Sequence, residues 1–378
     1  MKVFEIKYKS KNTKARIGVL HTAHGVMETP VFMPPASKGY LKSLDTLDIN
    51  NTKTQIILIN AYHLFLNPGV HFIQKYGGIH SFMNWNKPII SDSGGFQVWS
   101  LNNKNNKLAR IKDDGVYFIS PYDGFECFIN AQTSIQIQHN LGADIVMAFD
   151  ECSKDKGSKK DIKKSLDLTN KWLKQSLETH IYLNKRKNNK VLFFGIVQGG
   201  RYKDLRLQSL EFVKSLDTDG IAFGGETIGY NMKDTKKLLN YLVPFTIEYK
   251  PRYAMGLGGK PQDIVDAIIL GIDMFDCVSP ARIARHGELF TGVLDFNTWK
   301  IKSKVKNNIV RIANSTYRND KKPIDEHCKC FTCQNYSRAY LRYLFMQHEP
   351  LYMRLATIHN IYFINNIIQE IKNYIKNE

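Results

Sequence analysis

The sequence contains no apolar run that approaches the roughly 20 residues of a membrane span, and it has few cysteines for its length. Neither end of the 378-residue chain carries an apolar targeting segment. Three of its six cysteines are bunched at 328–333, which does not resemble the disulfide framework of a small secreted protein. We therefore expect a soluble, cytoplasmic protein that has no membrane partner.

Short apolar runs of strand length recur along the chain. They are continuous rather than alternating, which is typical of parallel strands that are covered on both faces. Eight such runs with interleaved helices predict an α/β protein with a (β/α)8 TIM barrel. The runs lie at 29–34, 56–63, 88–95, 144–151, 192–200, 220–226, 252–259 and 274–280.

The chain is longer than the roughly 250 residues of a plain barrel, so additions at both ends are expected. We expect an N-terminal antiparallel β extension at 1–28, the barrel at 29–300, and a C-terminal subdomain with closing helices at 301–378. An alternating pattern with Asp-Gly turns at 110–128 predicts a β-hairpin inserted after the third barrel strand.

Acidic residues are in short supply, since 53 Lys and Arg face 35 Asp and Glu and leave a formal charge of +18. This excess predicts a polyanionic partner, although a genome biased toward Lys, Asn and Ile codons would also produce it. The positions of the basic runs in the chain distinguish these two explanations better than the total charge does. The runs at 102–107 and 153–160 follow strands three and four and are expected on the active face, whereas 184–190 is expected on the opposite face.

Polar residues end several of the predicted strands, and in a barrel these ends meet at one mouth, where reactive groups sit. A single carboxylate there would be explained as a helix N-cap, but the repetition favours a site. After one strand, a Gly-Gly pair allows close approach of a ligand and Phe96 offers a flat face for a base. The strand-end residues are Asp92, Asp150, Gln198, Gly225 and Asp276.

Three cysteines lie within six residues, at Cys328, Cys330 and Cys333. This spacing predicts a zinc knuckle, and tetrahedral zinc requires a fourth ligand. His327 adjoins the first cysteine and would strain the geometry, whereas His348 and His359 are equally compatible with the spacing.

Five motifs in one order resemble the bacterial-type tRNA-guanine transglycosylases: DSGGFQV, MAFDEC, GIVQGG, GIDMFDCV, and CxCxxC with a histidine 26 residues on. The resemblance runs from about Ala15 to the C-terminus. It implies a barrel with a zinc subdomain, and exchange of the wobble guanine in tRNAs with a GUN anticodon, those for Tyr, His, Asn and Asp. The incoming base would be a 7-deazaguanine on the route to queuosine.

The resemblance also implies roles for individual residues. Asp276 would be the nucleophile at the ribose anomeric carbon, and Asp92 the general acid/base that also helps to hold the base. His359 would be the fourth ligand of one structural Zn²⁺. The base would be bound by Asp92, Phe96, Asp150, Gln198, Gly225 and Met255. The RNA would be bound by Lys260, Arg282 and Arg285.

The implied chemistry is consistent with two carboxylates. Breaking an N-glycosidic bond develops oxocarbenium character, which one carboxylate can trap as a covalent intermediate. A second base then displaces the enzyme, and water must be excluded meanwhile.

One segment departs from the family pattern. The family has Gly-Gly-Leu-Ala-Val-Gly-Glu after strand six, whereas this chain has 224–230 as GGETIGY. Glu226 is a new acid, and Tyr230 stands where an acid is expected. Because this segment lines the pocket near the 7-substituent, both preQ1 and queuine stay open as the incoming base.

Two other functions agree less well with the sequence. A non-catalytic tRNA-binding subunit of a heteromeric transglycosylase would lack the catalytic acids, so the presence of Asp92 and Asp276 argues against it. A zinc-containing RNA-binding module would not explain five strand-end motifs. Finally, Tyr336, Tyr340 and Tyr343 are spaced as one face of a helix, which together with the resemblance predicts a homodimer.

Overall fold

The structure, a computed structural model, describes residues 2–97, 100, 109–152, 157–185 and 190–378. The basic run at 102–107 lies outside the described residues, as do 153–156 and 186–189 of the other two runs. The faces predicted for these runs therefore stay predictions.

The strands are β1 (Phe4–Lys9), β2 (Arg16–Thr22), β3 (Gly25–Thr29), β4 (Val31–Met33), β5 (Ile57–Asn60), β6 (Ile89–Asp92), β7 (Ala109–Lys112), β8 (Gly115–Ile119), β9 (Glu126–Ile129), β10 (Ile145–Met147), β11 (Leu192–Val197), β12 (Gly220–Phe223), β13 (Arg252–Ala254), β14 (Met274–Asp276), β15 (Glu288–Phe290), β16 (Val293–Asp295), β17 (Lys300–Lys302) and β18 (Ile309–Arg311).

The helices, numbered as they occur in the described residues, are α1 (Thr46–Asn51), α2 (Ala61–Leu66), α3 (Val70–Lys75), α4 (Ile79–Met83), α5 (Ala131–Leu141), α6 (Lys159–Asn184), α7 (Lys203–Lys214), α8 (Thr227–Tyr230), α9 (Met232–Leu242), α10 (Pro261–Ile268), α11 (Ser279–Arg285), α12 (Phe331–Asn335), α13 (Arg338–Met346) and α14 (Pro350–Asn377). Short 3-10 helices lie at Val243–Phe245, Lys306–Asn308 and Ser315–Tyr317.

Eight parallel strands form the barrel, in the order β4-β14-β13-β12-β11-β10-β6-β5. A parallel bridge between Pro35 and Leu58 joins the two ends of this sheet. There the Ala36 backbone N–H donates to the Leu58 carbonyl at 2.6 Å. Each of the eight predicted runs supplies one strand, so the predicted (β/α)8 architecture is confirmed.

The barrel strands are apolar on both sides because side chains fill the interior and helices cover the outside. Every residue of β5, β11 and β12 is buried. Among the largest fully buried side chains are Phe194, Phe223 and Phe275, from three of the barrel strands. This packing explains why the sequence shows continuous rather than alternating apolar runs.

The N-terminal strands form the predicted antiparallel extension, a sheet in the order β1-β2-β3 with a two-residue turn at Ala23 and His24 between β2 and β3. This sheet is held against the amino-terminal ends of the barrel strands. The His24 backbone N–H donates to Asp144 Oδ1 at 2.9 Å, just before β10. Arg16 donates to both carboxylate oxygens of Asp273, just before β14, at 2.9 and 2.6 Å. The extension therefore covers the base of the barrel, opposite the strand ends that carry the candidate site.

The insertion after the third barrel strand is a three-stranded antiparallel sheet, β7-β8-β9, so it contains one strand more than the predicted hairpin. Its side chain Phe118 packs against Tyr62, with ring centroids 5.3 Å apart. The insertion thus lies beside the mouth of the barrel, near the carboxyl end of β5.

The C-terminal helix α14 returns to the barrel after the cysteine-containing segment. Asn365 Nδ2 donates to the Thr52 carbonyl at 2.8 Å, and Lys372 Nζ donates to the Glu28 carbonyl at 2.6 Å. No helix in the described part of the chain combines the length and the apolar character that crossing a membrane requires.

The prediction of three tyrosines on one helix face is wrong in one respect. Helix α13 begins at Arg338, after an N-cap at Ser337, so Tyr336 precedes it. The Ser337 hydroxyl accepts from the Tyr340 backbone N–H and starts the helix there. Tyr336 nevertheless stacks on Tyr340, with centroids 5.5 Å apart.

Candidate active site and metal centre

Carboxylates at the ends of three neighbouring or nearby barrel strands lie close enough at the barrel mouth to interact electrostatically. Asp92 ends β6, Asp276 ends β14, and Asp150 follows β10. Burial raises the pKa of Asp92 to about 7, and the negative charges of Asp150 and Asp276 add to this rise. Burial likewise raises the pKa of Asp150 to about 6. Because Asp92 senses the charge of Asp276, the fold brings together two acids that lie far apart in the sequence.

Asp276 is oriented by two hydrogen bonds. The Tyr253 hydroxyl donates to Asp276 Oδ1 at 2.6 Å, and the Gly256 backbone N–H donates to the same oxygen at 2.7 Å. Burial raises the pKa of Asp276, while these two bonds oppose the rise. Because both bonds end on Oδ1, they fix the carboxylate and leave Oδ2 outside this pair of contacts.

Asp92 is held by Asn60, the last residue of the neighbouring strand β5. Asn60 Nδ2 donates to Asp92 Oδ2 at 2.7 Å and to Gln97 Oε1 at 2.9 Å. Asn60 also caps helix α2, since its side-chain oxygen accepts from the His63 backbone N–H at 3.2 Å. Sequence analysis missed Asn60 and Tyr253 as site residues. The parallel register pairs Asn60 directly with Asp92, and this signal is visible only once the strands are aligned.

Asp150 and Gln198 form a second hydrogen-bonded pair, on the adjacent strands β10 and β11. Gln198 Nε2 donates to Asp150 Oδ2 at 2.6 Å, and both side chains are buried. Glu151 has its backbone N–H bonded to Thr169 Oγ1 at 3.1 Å, on the covering helix α6. The Glu151 backbone is thus bonded to the covering helix, whereas the Asp150 side chain is bonded to Gln198 at the next strand end.

Arg206, which was not predicted from the sequence, supports the loops around the Asp150–Gln198 pair. The side chain is fully buried. Its guanidinium donates to the carbonyls of Gly200 at 2.7 Å, Val197 at 2.9 Å and Gly224 at 2.7 Å. It therefore connects the ends of β11 and β12 and fixes the backbone just before Gly225.

Two glycines at the mouth leave no room for a side chain. At Gly225, where φ is +93°, an added Cβ would lie 2.7 Å from Gln198 Oε1. At Gly95 it would lie 2.5 Å from the Asp150 carbonyl oxygen. Both glycines thus allow backbone to approach the Asp150–Gln198 pair closely.

The two residues predicted to sandwich a ring also follow strand ends at this mouth. Phe96 comes directly after Gly95, and its side chain is 38% exposed. Met255 follows β13 and lies beside Gly224. Phe96 is thus exposed and Met255 is half-buried.

A basic cleft of about 230 Å³ is lined in part by Val278, which follows the candidate nucleophile Asp276 by two residues. Four cationic side chains and no acidic one line it: Lys38, Lys42, Arg282 and Arg285. Burial and the neighbouring charge of Arg282 lower the pKa of Arg285, as expected for like charges that face an anion site. Lys260 is exposed at the N-terminus of α10 and does not line this cleft.

The cysteine cluster converges on one histidine. His359 Nδ1 lies 3.7, 3.5 and 3.3 Å from the sulfurs of Cys328, Cys330 and Cys333. Tetrahedral zinc, with bonds of about 2.3 Å to sulfur and about 2.0 Å to nitrogen, would place such atoms about 3.5 Å apart. His359 Nε2 lies 2.7 Å from the Phe290 carbonyl oxygen, which orients the ring. These residues could hold one metal ion, and their geometry fits zinc.

Comparison with known proteins agrees with this arrangement. A family model described as queuine tRNA-ribosyltransferase matches residues 10–378. A queuine tRNA-ribosyltransferase of Halothermothrix orenii is 42% identical over 375 residues, covering 99% of this chain and 94% of that protein. One from Dictyoglomus turgidum is 42% identical over 374 residues, covering 99% and 91%. One from Fusobacterium nucleatum is 43% identical over 372 residues, covering 98% and 93%. The chain therefore belongs to the queuine tRNA-ribosyltransferase family, and the resemblance drawn from its motifs is confirmed.

Proposed function

We propose that this protein exchanges the wobble guanine of tRNAs with a GUN anticodon for a 7-deazaguanine base. The observation that carries the proposal is the group of three coupled carboxylates, Asp92, Asp150 and Asp276, at the barrel mouth beside a basic cleft. A buried acid with a pKa of about 7 can give and take a proton near neutral pH.

The reaction proceeds by two displacements at the ribose anomeric carbon. Asp276 attacks this carbon, a carbon–oxygen bond forms, and the bond to guanine N9 breaks. Asp92 donates a proton to the departing guanine. The incoming base then loses its N9 proton to Asp92 and displaces Asp276, so that two inversions give net retention.

The base lies between Phe96 and Met255, with its polar edge at Asp150, Gln198 and the backbone of Gly225. The Asp150–Gln198 bond of 2.6 Å supports this role, because it holds an acceptor and a donor side by side in a buried pocket. Lys260, Arg282 and Arg285 contact the anticodon loop. The unopposed cations of the cleft support the last two assignments.

The decisive test is Asp276→Asn. We expect this variant to bind an anticodon stem-loop RNA as tightly as the wild type and to lose exchange of labelled guanine, since the amide is not nucleophilic. Turnover that survives the substitution would remove Asp276 from the nucleophile role. Exchange by the purified wild-type chain alone would also exclude a non-catalytic subunit of a heteromeric enzyme.

The incoming base is either preQ1 or queuine. Glu226 lies near Asp150, because both residues are close to Cys152. Burial raises the pKa of the Cys152 thiol, and the negative charges of Asp150 and Glu226 raise it further. Tyr230 occupies the position at which the family has an acid, and its side chain lies outside the described part of the structure. Competing both bases against labelled guanine in tRNA decides between them.

The remaining assignments follow from the same family. One structural Zn²⁺ is bound by Cys328, Cys330, Cys333 and His359. The chain divides into an extension at 1–28, a catalytic barrel at 29–300 and a zinc-binding subdomain at 301–378, and works in the cytoplasm. Tyr340 and Tyr343 are 40% and 60% exposed and support a homodimer, which a monomeric mass at micromolar concentration would contradict.

A further inference from the structure

One loop of the inserted sheet carries two exposed aromatic side chains, and one of them, Tyr122, lies beside a residue of the basic cleft. The loop at 120–125 connects β8 to β9. Two aromatic residues of this loop are exposed, Phe125 at 71% and Tyr122 at 46%. Two exposed rings on one short loop form an apolar patch, and patches of this kind, rather than single exposed residues, mark interaction sites.

The loop is held in one conformation by its own hydrogen bonds. The Ser120 backbone N–H donates to the Phe125 carbonyl at 2.9 Å, and the Gly124 N–H donates to the Ser120 carbonyl at 3.0 Å. Its single acid, Asp123, accepts from the Phe125 backbone N–H at 3.2 Å. The rings are therefore displayed on a closed turn, and the acid is engaged in closing it.

The loop touches the cleft through Lys38. Lys38 Nζ lies 5.6 Å from the centre of the Tyr122 ring, and Lys38 is one of the four cations that line the cleft. Among the described residues, none of these four cations forms an ion pair with a carboxylate. The cleft thus presents uncompensated positive charge that continues directly onto an aromatic surface.

We propose that Tyr122 and Phe125 form a stacking platform for nucleobases of the RNA strand whose phosphates occupy the basic cleft. This inference rests on the proposed function, since the RNA is the substrate of that site. Cations that neutralise phosphates, next to rings that stack on bases, are the combination that binds single-stranded nucleic acid. The platform contributes affinity for RNA and takes no part in the chemistry at Asp276.

The test measures binding of a fluorescent anticodon stem-loop RNA to Phe125→Ala. Loss of one stacked base should weaken binding about 5- to 100-fold. Phe125→Tyr, which keeps the ring, should bind as the wild type does. Turnover at saturating RNA and the KM for free guanine should be unchanged in both variants.

A matched control is Tyr249→Ala. Tyr249 is 69% exposed but lies shortly before β13, at the base of the barrel. Its removal should leave RNA binding unchanged. Lys38→Ala should reduce the slope of log affinity against log salt by about one, whereas Phe125→Ala should leave this slope unchanged.

Several results would overturn the platform. These are RNA affinity within twofold of the wild type in Phe125→Ala, an equal loss in Tyr249→Ala, or a changed oligomeric mass in Phe125→Ala. Failure of the proposed function is distinguishable. If wild-type protein binds RNA and Phe125→Ala weakens that binding, but no guanine is exchanged, then the platform stands and the transferase activity falls.

Discussion

Buried carboxylates at the barrel mouth differ in how they are hydrogen-bonded, and this difference supports the separate roles proposed for them. Asp276 accepts from Tyr253 and Gly256, bonds that favour its ionised form, as a nucleophile requires. Asp92 lies between two other acids, and its pKa of about 7 suits a group that exchanges a proton. The bonds to Asp276 therefore favour the ionised carboxylate, which burial alone would disfavour.

This arrangement predicts that Asp92→Asn stabilises the fold. The folded-state pKa of Asp92, about 7, is above that of an unfolded Asp, so its contribution to stability is lost as pH rises toward 7. We expect the variant to be more stable than the wild type by about 1–3 kcal/mol at pH 8, with a smaller gain at pH 5. Urea unfolding at both pH values measures this. Equal stability at pH 8 would show that Asp92 is ionised without cost.

At the scale of elements, the cysteine segment depends on the long helix α14 for its fourth ligand. His359 lies within α14, whereas Cys330 and Cys333 flank and enter the short helix α12. A five-residue helix is too short to be stable by itself. A metal bound between the two would therefore order the whole segment.

Removing the metal should destabilise this part of the molecule first. We expect His359→Ala to lose zinc and to lower the melting temperature by roughly 5 °C or more, because the site contributes directly to folding. His348→Ala is the matched control and should keep one zinc per chain. Zinc content and thermal unfolding are the measurements, and full zinc occupancy in His359→Ala would contradict the assigned ligand set.

At the scale of the whole molecule, the barrel has a functional mouth and a structural base. Asp144 at the base is fully buried and accepts from the backbone N–H groups of His24 and Ile89 at 2.9 and 2.8 Å. The ring nitrogens His24 Nδ1 and His80 Nε2 lie 2.8 and 3.2 Å from its two oxygens. One carboxylate thus joins the N-terminal sheet, helix α4 and the barrel.

We therefore expect Asp144→Asn to destabilise the protein at neutral pH by about 1–3 kcal/mol. Burial opposes ionisation of Asp144, but the contacts with His80 and His24 outweigh it and lower its pKa. The stabilisation is present above the unfolded pKa of about 3.9 and is lost as pH falls below it. Urea unfolding at pH 7 and at about pH 2.5 should show the difference shrinking in acid, with guanine exchange retained at pH 7. A difference that grows in acid would refute this account.

Local patterns predicted the elements accurately where the signal is carried by neighbours in sequence. Helix α5 shows such local signals, because Asn130 caps its start and Gly142, with φ of +85°, ends it. The eight apolar runs were sufficient for the barrel, because one pattern of burial recurs in every strand. Helix α13 shows the limit: its tyrosine spacing suggested a start before Tyr336, but a serine cap begins it at Arg338.

The sequence by itself determined the barrel, the acids at its strand ends and the three cysteines, because periodicity, turns and spacing are local properties of the chain. Only the tertiary structure decided which distant side chains orient them. Asn60 meets Asp92 through strand register, Tyr253 meets Asp276 across adjacent strands, and Arg206 reaches two loops at once. These partners were beyond prediction because a side chain's direction depends on packing between segments that are far apart in sequence.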